Sequence, residues 1–502
     1  MCSPSRATLF TGTYPAQHGV TLTLTAADLR PDPRNAPAVV RTMLEIMGRP
    51  GAPRQRVLRQ FLRGLFRAGP KAGGEPELRP ETPNLAQLLC GAGYEIGYKG
   101  KWHLTRPLAE EGWSERDASL LERDYGFAGW EPPDAGENAR AENFGGGNAG
   151  PLGRGWDELY TRQVEQWLSR PDLPEPFCLV VSLVNPHDVL GYPASYAEGG
   201  YATSEFHDLG VELPPTVDED LSEKPTVHTL MQMGMTAYLG PLHGRRRQLD
   251  YVNFYAHLHR VVDEKIGRVL AALGDPGDPG SLRARTVIVR CSDHGEMGLA
   301  HGALRQKAFN AYEETIHVPL VVSNPALFPR PVETEALASL VDLLPTVATL
   351  AGAEPPREAR GRDLGPVLAA GAAPDADFLR RCGADFSSLV EHPSPSDSVQ
   401  ETIHFTYDDH QAATAMADAP GQPNRVRCVR NHRAKYALYF DPAGRAPSEF
   451  ELYDLQRDPE ERANLVDHRS GEPRSGTDRA LRDEMVEQLD ALMAEHGTAP
   501  PA

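Results

Sequence analysis

MCSPSRATLFTG, residues 1–12, is the stretch around which this chain is organised. Ser3 suits an N-cap, Pro4 suits the first helical position, and Gly12 is free to close a short helix. That arrangement puts Cys2 just before a helix N-terminus, where unpaired backbone N–H groups and the helix dipole favour negative charge. A nucleophile or a tetrahedral oxyanion would be stabilised there. By itself a Cys-x-Pro-x-Arg pattern is only suggestive, since it arises by chance in roughly one chain in twenty of this size.

The continuation RATLFTGTYPAQHGV (6–20) makes the pattern far more specific. With it, the chain resembles the type I, formylglycine-dependent sulfatases of the alkaline-phosphatase superfamily. The resemblance implies that Cys2 is oxidised to formylglycine by a formylglycine-generating enzyme or an equivalent maturase, and that the hydrated aldehyde is the nucleophile. It implies that Arg6 adds positive charge near the sulfate. It also implies an earlier strand bearing two adjacent aspartates, whereas only Met1 precedes Cys2 here. The expectation is a member truncated at its N-terminus, with Met1 an internal methionine and half of the metal shell absent.

Three further segments carry the same resemblance. TPNLAQLLCGAGYEIGYKGKWHL (82–104) reads as a helix capped by Thr82, then a short strand delivering Lys101 and His103 to its end, where ligands bind in open α/β sheets. Two residues apart on an extended segment, they share a face. An isolated Lys-x-His is usually a surface lysine and a packed histidine. The intact GKWHL implies that Lys101 holds a sulfate oxygen and that His103 assists breakdown of the covalent intermediate. PFCLVVSLVNPHDV (176–189) reads as a buried parallel strand running into a turn, and the resemblance makes His187 the general acid for the leaving alcohol. In RTVIVRCSDHGEMGLAHGALRQKAFNAYEETIHVPLVVSNP (285–325), an apolar strand over 286–290 ends at Asp293 and His294. These two match metal ligands, Lys307 matches the lysine bridging sulfate and nucleophile, and His301 is a candidate substrate contact. His317 takes no role.

The implied metal is a divalent cation, Ca²⁺ foremost with Mg²⁺ or Mn²⁺ as alternatives. The Asp293-His294 pair also occurs in phosphonate monoester hydrolases, so two readings stand beside sulfate ester hydrolysis. One is a phosphonate or phosphate ester hydrolase; the other is a truncated, inactive protein acting as a binding module. The substrate is a sulfate ester of a small molecule or saccharide.

At 502 residues, 40% of them hydrophobic, the chain has ample core for a large α/β domain with an appendage. A formal charge of −19 argues against nucleic acid as a partner. Six widely spaced cysteines do not form a disulfide framework. No apolar run is long enough to span a membrane, so membrane contact is not expected. No signal peptide heads the chain, which leaves the compartment open, and cytoplasmic if the chain is complete.

The fold implied is an alkaline-phosphatase-like α/β/α sandwich with a mixed central sheet, plus a small C-terminal α+β subdomain with an antiparallel sheet. The expected organisation is a catalytic domain over 1–370 with a helical insertion at about 40–80, a linker over 371–400, and the subdomain over 401–502. Within the insertion, VLRQFLRGLFRAG (57–69) reads as a basic amphipathic helix, either packed on the surface or covering the site. Stretches 105–160 and 190–245 read as loops shaping the substrate mouth.

Overall fold

Side chains alternate between two faces along Glu95–Gly100 (β1) and Phe177–Ser182 (β2). In the computed structural model of the chain these strands pair in parallel, from Glu95 opposite Phe177 to Gly100 opposite Ser182. The structure describes residues 1–25, 32–47, 74–411, 423–476 and 478–501. On one face, Ile96, Tyr98, Cys178 and Val180 pack with Ala7 and Phe10 of helix α1 (Cys2–Thr11) and with Leu85, Ala86 and Leu89 of helix Leu85–Gly91. On the other, Phe177, Leu179 and Val181 meet Val164, Trp167 and Leu168 of helix Trp156–Leu168, backed by Val269 and Ala272 of helix Arg245–Ala272. Helices thus cover both faces, as the sandwich requires. Gly97 lets this second layer close in, because a Cβ there would lie 2.8 Å from the Trp167 ring.

Ile288–Cys291 (β3) and Leu320–Ser323 (β4) form a separate antiparallel pair. The expected mixed sheet therefore has parallel and antiparallel parts, but among the described residues they are two pieces rather than one. A strand pair lacking a neighbour keeps its flanks half covered. Accordingly no residue of β2 is buried, and Val321 on β4 is 41% exposed.

Two helix starts differ from expectation. Met1, not Ser3, is the N-cap of α1, and the Ser3 hydroxyl instead accepts the Leu24 N–H at 3.0 Å. Helix Leu85–Gly91 is capped by Asn84, whose side chain accepts the N–H groups of Ala86 and Gln87. Asn is as good a cap as Thr, and it lies closer to the first periodic leucine. Gly12 closes α1 in the left-handed conformation, as read from sequence.

Four strands, Ile403–Tyr407 (β5), Arg425–Arg430 (β6), Ala434–Phe440 (β7) and Glu449–Asp454 (β8), make an antiparallel sheet in chain order. Helix Arg479–His496 lays Leu481, Met485, Leu489 and Met493 on Val429, Tyr436 and Leu452. The opposite face, with Val426, Cys428, Tyr439 and Tyr453, packs on Met231 and Met235 of helix Thr226–Leu239. That last helix lies in the 190–245 stretch expected to be irregular. It is buried on nearly every side, so it shows no amphipathic stripe.

The 371–400 stretch is not a bare linker: it carries helices Ala376–Cys382 and Ser387–Val390, with Phe378, Leu379 and Cys382 packed against Ala284 and Ala326. In the insertion, helix Ala36–Met47 is described, whereas VLRQFLRGLFRAG lies outside the described residues. All six cysteines are free. Among the described residues, no helix is long and apolar enough to cross a membrane.

Candidate active site

Three strand ends and one helix start converge. β1 ends at Gly100, whose φ is 108° and whose added Cβ would sit 2.0 Å from the Ser182 carbonyl, so only glycine lets β1 and β2 end this close. Lys101 follows directly, His187 lies just beyond β2, and Asp293 and His294 just beyond β3. Cys2 opens α1.

At the centre, Cys2 Sγ lies 3.1 Å from His294 Nε2, and that nitrogen lies 3.6 Å from an Asp293 oxygen. His294 Nδ1 donates to the Gly295 carbonyl at 2.8 Å, which aims Nε2 at the sulfur. Burial alone would push the Cys2 thiol up, but Lys307, His294 and Lys101 outweigh it and hold the thiol well below its ordinary value. Asp293 behaves alike: burial raises its carboxyl, and the charges of His294, Arg6, Lys101 and Lys307 pull it below the usual range. For Lys307, burial is outweighed by the negative charges of Cys2, Glu296 and Asp293, so its ammonium is strengthened; for Lys101, burial wins and lowers it. Burial, then the neighbouring cations, keeps His187 and His103 neutral. Each keeps a buried Nδ1 without a hydrogen-bond partner among the described residues.

Arg6 belongs to the frame rather than the centre. Its guanidinium donates to Trp102 O at 2.9 Å, Tyr98 Oη at 2.7 Å, Ser182 Oγ at 2.8 Å and the Lys101 carbonyl. It thereby ties α1 to the end of β1 and β2, and adds its charge to Asp293 from there. Asp134 was not found from sequence. Its two oxygens accept the Trp102 N–H at 2.8 Å and the His103 N–H at 2.6 Å, fixing the turn in which His103 holds a φ of 60°. The His103 ring donates through Nε2 to Leu24 O at 2.7 Å, and Lys101 Nζ donates to Gly136 O. Asp134 sits in a Pro- and Gly-rich loop, and nothing local marks it.

His301, the expected substrate contact, is held elsewhere. It is fully buried, stacked on Tyr312 at 3.7 Å, and paired with Glu219 at 2.8 Å and Glu314 at 3.4 Å. Among the described residues it has no contact with the Cys2 group. Its φ of 47°, in a loop where Leu299 and Gly302 are also left-handed, accompanies this inward placement.

The donor set at the centre is one thiol, one imidazole and one carboxylate, with ligand atoms within 4.8 Å of one another. Ca²⁺ takes about 6–8 oxygens, and Mg²⁺ also demands an oxygen-rich shell. These side chains could hold a metal ion, but by themselves they do not supply the oxygen shell that either hard ion takes.

A sulfatase family model matches residues 54–353, more than half of the chain. An uncharacterized sulfatase of Escherichia coli (strain K12), YidJ, is 31% identical over 210 residues, which are 42% of this chain and 38% of that relative's length. The solved structure of BT4656 with its substrate D-glucosamine-2-N,6-O-disulfate is similar at a TM-score of 0.62 and 18% identity, over 100% of this chain and 89% of that one. The phosphonate monoester hydrolase of Agrobacterium radiobacter is similar at a TM-score of 0.58 and 19% identity, over 99% and 86% respectively. These neighbours share the alkaline-phosphatase-like fold, and the chain belongs to the sulfatase family.

Proposed function

We propose that this chain hydrolyses a sulfate monoester, with a sulfated saccharide as the substrate class. The carrying observation is the convergence of Cys2, Lys101, Lys307, His187 and His294 at the strand ends. Position 2 is a buried cysteine flanked by cations, which suits a group that attacks an anion; converted to formylglycine by a maturase, it would supply a hydroxyl nucleophile. Lys101 and Lys307 hold the sulfate oxygens and offset charge that builds during attack. His294 Nε2, 3.1 Å from the position-2 side chain, takes the nucleophile's proton. Asp293, the carboxylate beside it, is held too acidic to be a good base. His187 is neutral in the free site, and an arriving anionic ester raises its proton affinity so that it can protonate the leaving alcohol. His103, kept neutral by burial and anchored to Leu24 O, assists regeneration from the other side.

A saccharide is favoured by the sulfated glucosamine bound by BT4656. A second reading, phosphonate or phosphate ester hydrolysis, is favoured by His294 beside Asp293 and by the fold shared with the Agrobacterium hydrolase. The test is kcat/KM on a matched sulfate and phosphonate ester of one leaving group, using chain in which peptide mass confirms the aldehyde at position 2. Preference for the sulfate supports the proposal; preference for the phosphonate selects the second reading. No turnover of either ester by the converted chain overturns both and leaves a binding module.

A further inference from the structure

A second cleft lies away from the strand ends, where β5 and the helix Arg479–His496 meet the segments around Tyr14, Asp342 and Arg362. Its volume is about 170 Å³. A cavity of about 150 Å³ already admits benzene, so one six-membered ring fits here. Three rings form part of its wall: Tyr14 lies 5.3 Å from His404 and 4.9 Å from His496, and the two imidazoles stack at 5.8 Å. Tyr14 follows Gly12, which closes α1, whereas Cys2 opens that helix. Ten residues at about 1.5 Å each put the cleft about 15 Å from Cys2. We propose that this cleft binds an acidic monosaccharide, a sugar ring carrying one carboxylate or sulfate, at a site separate from the hydrolytic centre. The proposal goes beyond the hydrolytic reading and does not depend on it.

The polar atoms that remain for a ligand decide its chemistry. His404 spends both ring nitrogens, on the Cys428 carbonyl at 3.1 Å and the Thr498 hydroxyl at 2.8 Å. His496 does not: it is 7% exposed, and its buried Nδ1 has no hydrogen-bond partner among the described residues. Burial lowers its proton affinity, Glu495 opposes that, and Arg360 and Arg362 add to it, so both guanidinium charges bear on this ring. Arg360 is exposed, and its guanidinium makes no hydrogen bond or ion pair among the described residues; only its backbone N–H is used, on the Gly12 carbonyl at 2.7 Å. Arg360 and His496 Nδ1–H thus converge as donors for one anionic group. A bare inorganic anion suits the cleft less, because Asp342, Glu401 and Glu495 also line it. Asp342 is filled by the N–H groups of Ser339 and Arg362 at 2.7 Å each and by Gln400 Nε2 at 2.8 Å, and Glu495 shares Arg362 at 3.2 Å. Glu401 and Glu495 are left to accept hydroxyl groups. A ring with hydroxyls at one edge and one anionic group at the other uses both kinds of partner.

The experiment is isothermal titration of the full 502-residue chain with D-glucuronate, which carries a carboxylate and no ester to hydrolyse, and with D-glucose as the neutral control. One glucuronate per chain is expected, bound about tenfold more tightly than glucose. Arg360→Gln, and His496→Phe, which keeps a ring in the stack, should each weaken glucuronate by about tenfold. Lys307→Met, at the other end of α1, should leave its affinity unchanged. Arg360 serves the fold only through its backbone, so its variant reads binding without disturbing folding. No glucuronate binding by the unsubstituted chain overturns the proposal, whatever the variants do, and so does glucose binding as tightly as glucuronate. Affinity lost in Lys307→Met but kept in Arg360→Gln overturns it too, since the sugar would then sit in the hydrolytic centre. Binding is read without turnover, so failure here leaves the hydrolytic proposal standing.

Discussion

His301 gives the sharpest separation of a structural from a substrate role. Burial alone would push its pKa down, but hydrogen bonds to Glu219 and Glu314 outweigh that and lift it from an ordinary 6.5 to about 9. At about 1.4 kcal/mol per pH unit, protonation of His301 is worth about 3 kcal/mol to the folded chain. The folded value is the raised one, so this stability is fully present below pH about 6.5 and is lost as pH climbs through about 9. Glu461 contributes in a lower window: burial, only partly offset by Lys435, raises its carboxyl to about 7 from 4.5, so its share is present below about 4.5 and lost as pH passes 7. Urea unfolding measured across pH 6 to 10 should therefore show stability falling by about 4–5 kcal/mol, about 3 kcal/mol of it from His301 and the rest from Glu461, mostly above pH 7. In His301→Gln that slope should flatten, with the loss already present at pH 6, while Lys224 still holds Glu219 at 3.1 Å. If the variant keeps the parent slope and stability but raises KM for a sulfate ester, the network reasoning is refuted and His301 contacts substrate after all.

Substitutions at three other positions probe the frame and the centre. Arg6→Lys cannot reach the four acceptors now shared by the guanidinium, and should cost about 3 kcal/mol in urea unfolding, since it strands buried oxygens around a buried charge. Asp134→Asn keeps one acceptor oxygen for two backbone N–H groups, and should lose about 1–3 kcal/mol of stability together with kcat, while Asp134→Glu restores neither because the turn is too tight. Lys307→Met should lower kcat on a sulfate ester about 10²–10³-fold in steady-state assays of converted chain, the scale of removing one donor to a developing charge.

The parts of this molecule that sequence disclosed are those whose meaning is local. An apolar strand followed at once by Lys101, by His187 or by Asp293-His294 announces a side chain at a strand end, whatever the strand later packs against. The helix Arg479–His496 was equally plain, because its core stripe repeats within its own length. Helix Thr226–Leu239 was missed for the opposite reason: burial on nearly all sides erases the contrast that periodicity needs. The roles of individual charges were the least visible. Arg6 and His301 both looked like groups for a substrate, and what distinguishes them is who receives their protons: Tyr98, Trp102 and Ser182 for Arg6, Glu219 and Glu314 for His301. The Arg6 partners lie 92 or more residues away and Glu219 lies 82 residues from His301, so no local window contains them, and only Glu314 stands in the same stretch as its histidine. A buried cation whose donors are spent on protein acceptors cannot also bind an ester without paying their desolvation. Lys307 has Gln306 and the Cys2 side chain as partners, both at the site of attack, and so remains the cation best placed to meet an incoming anion.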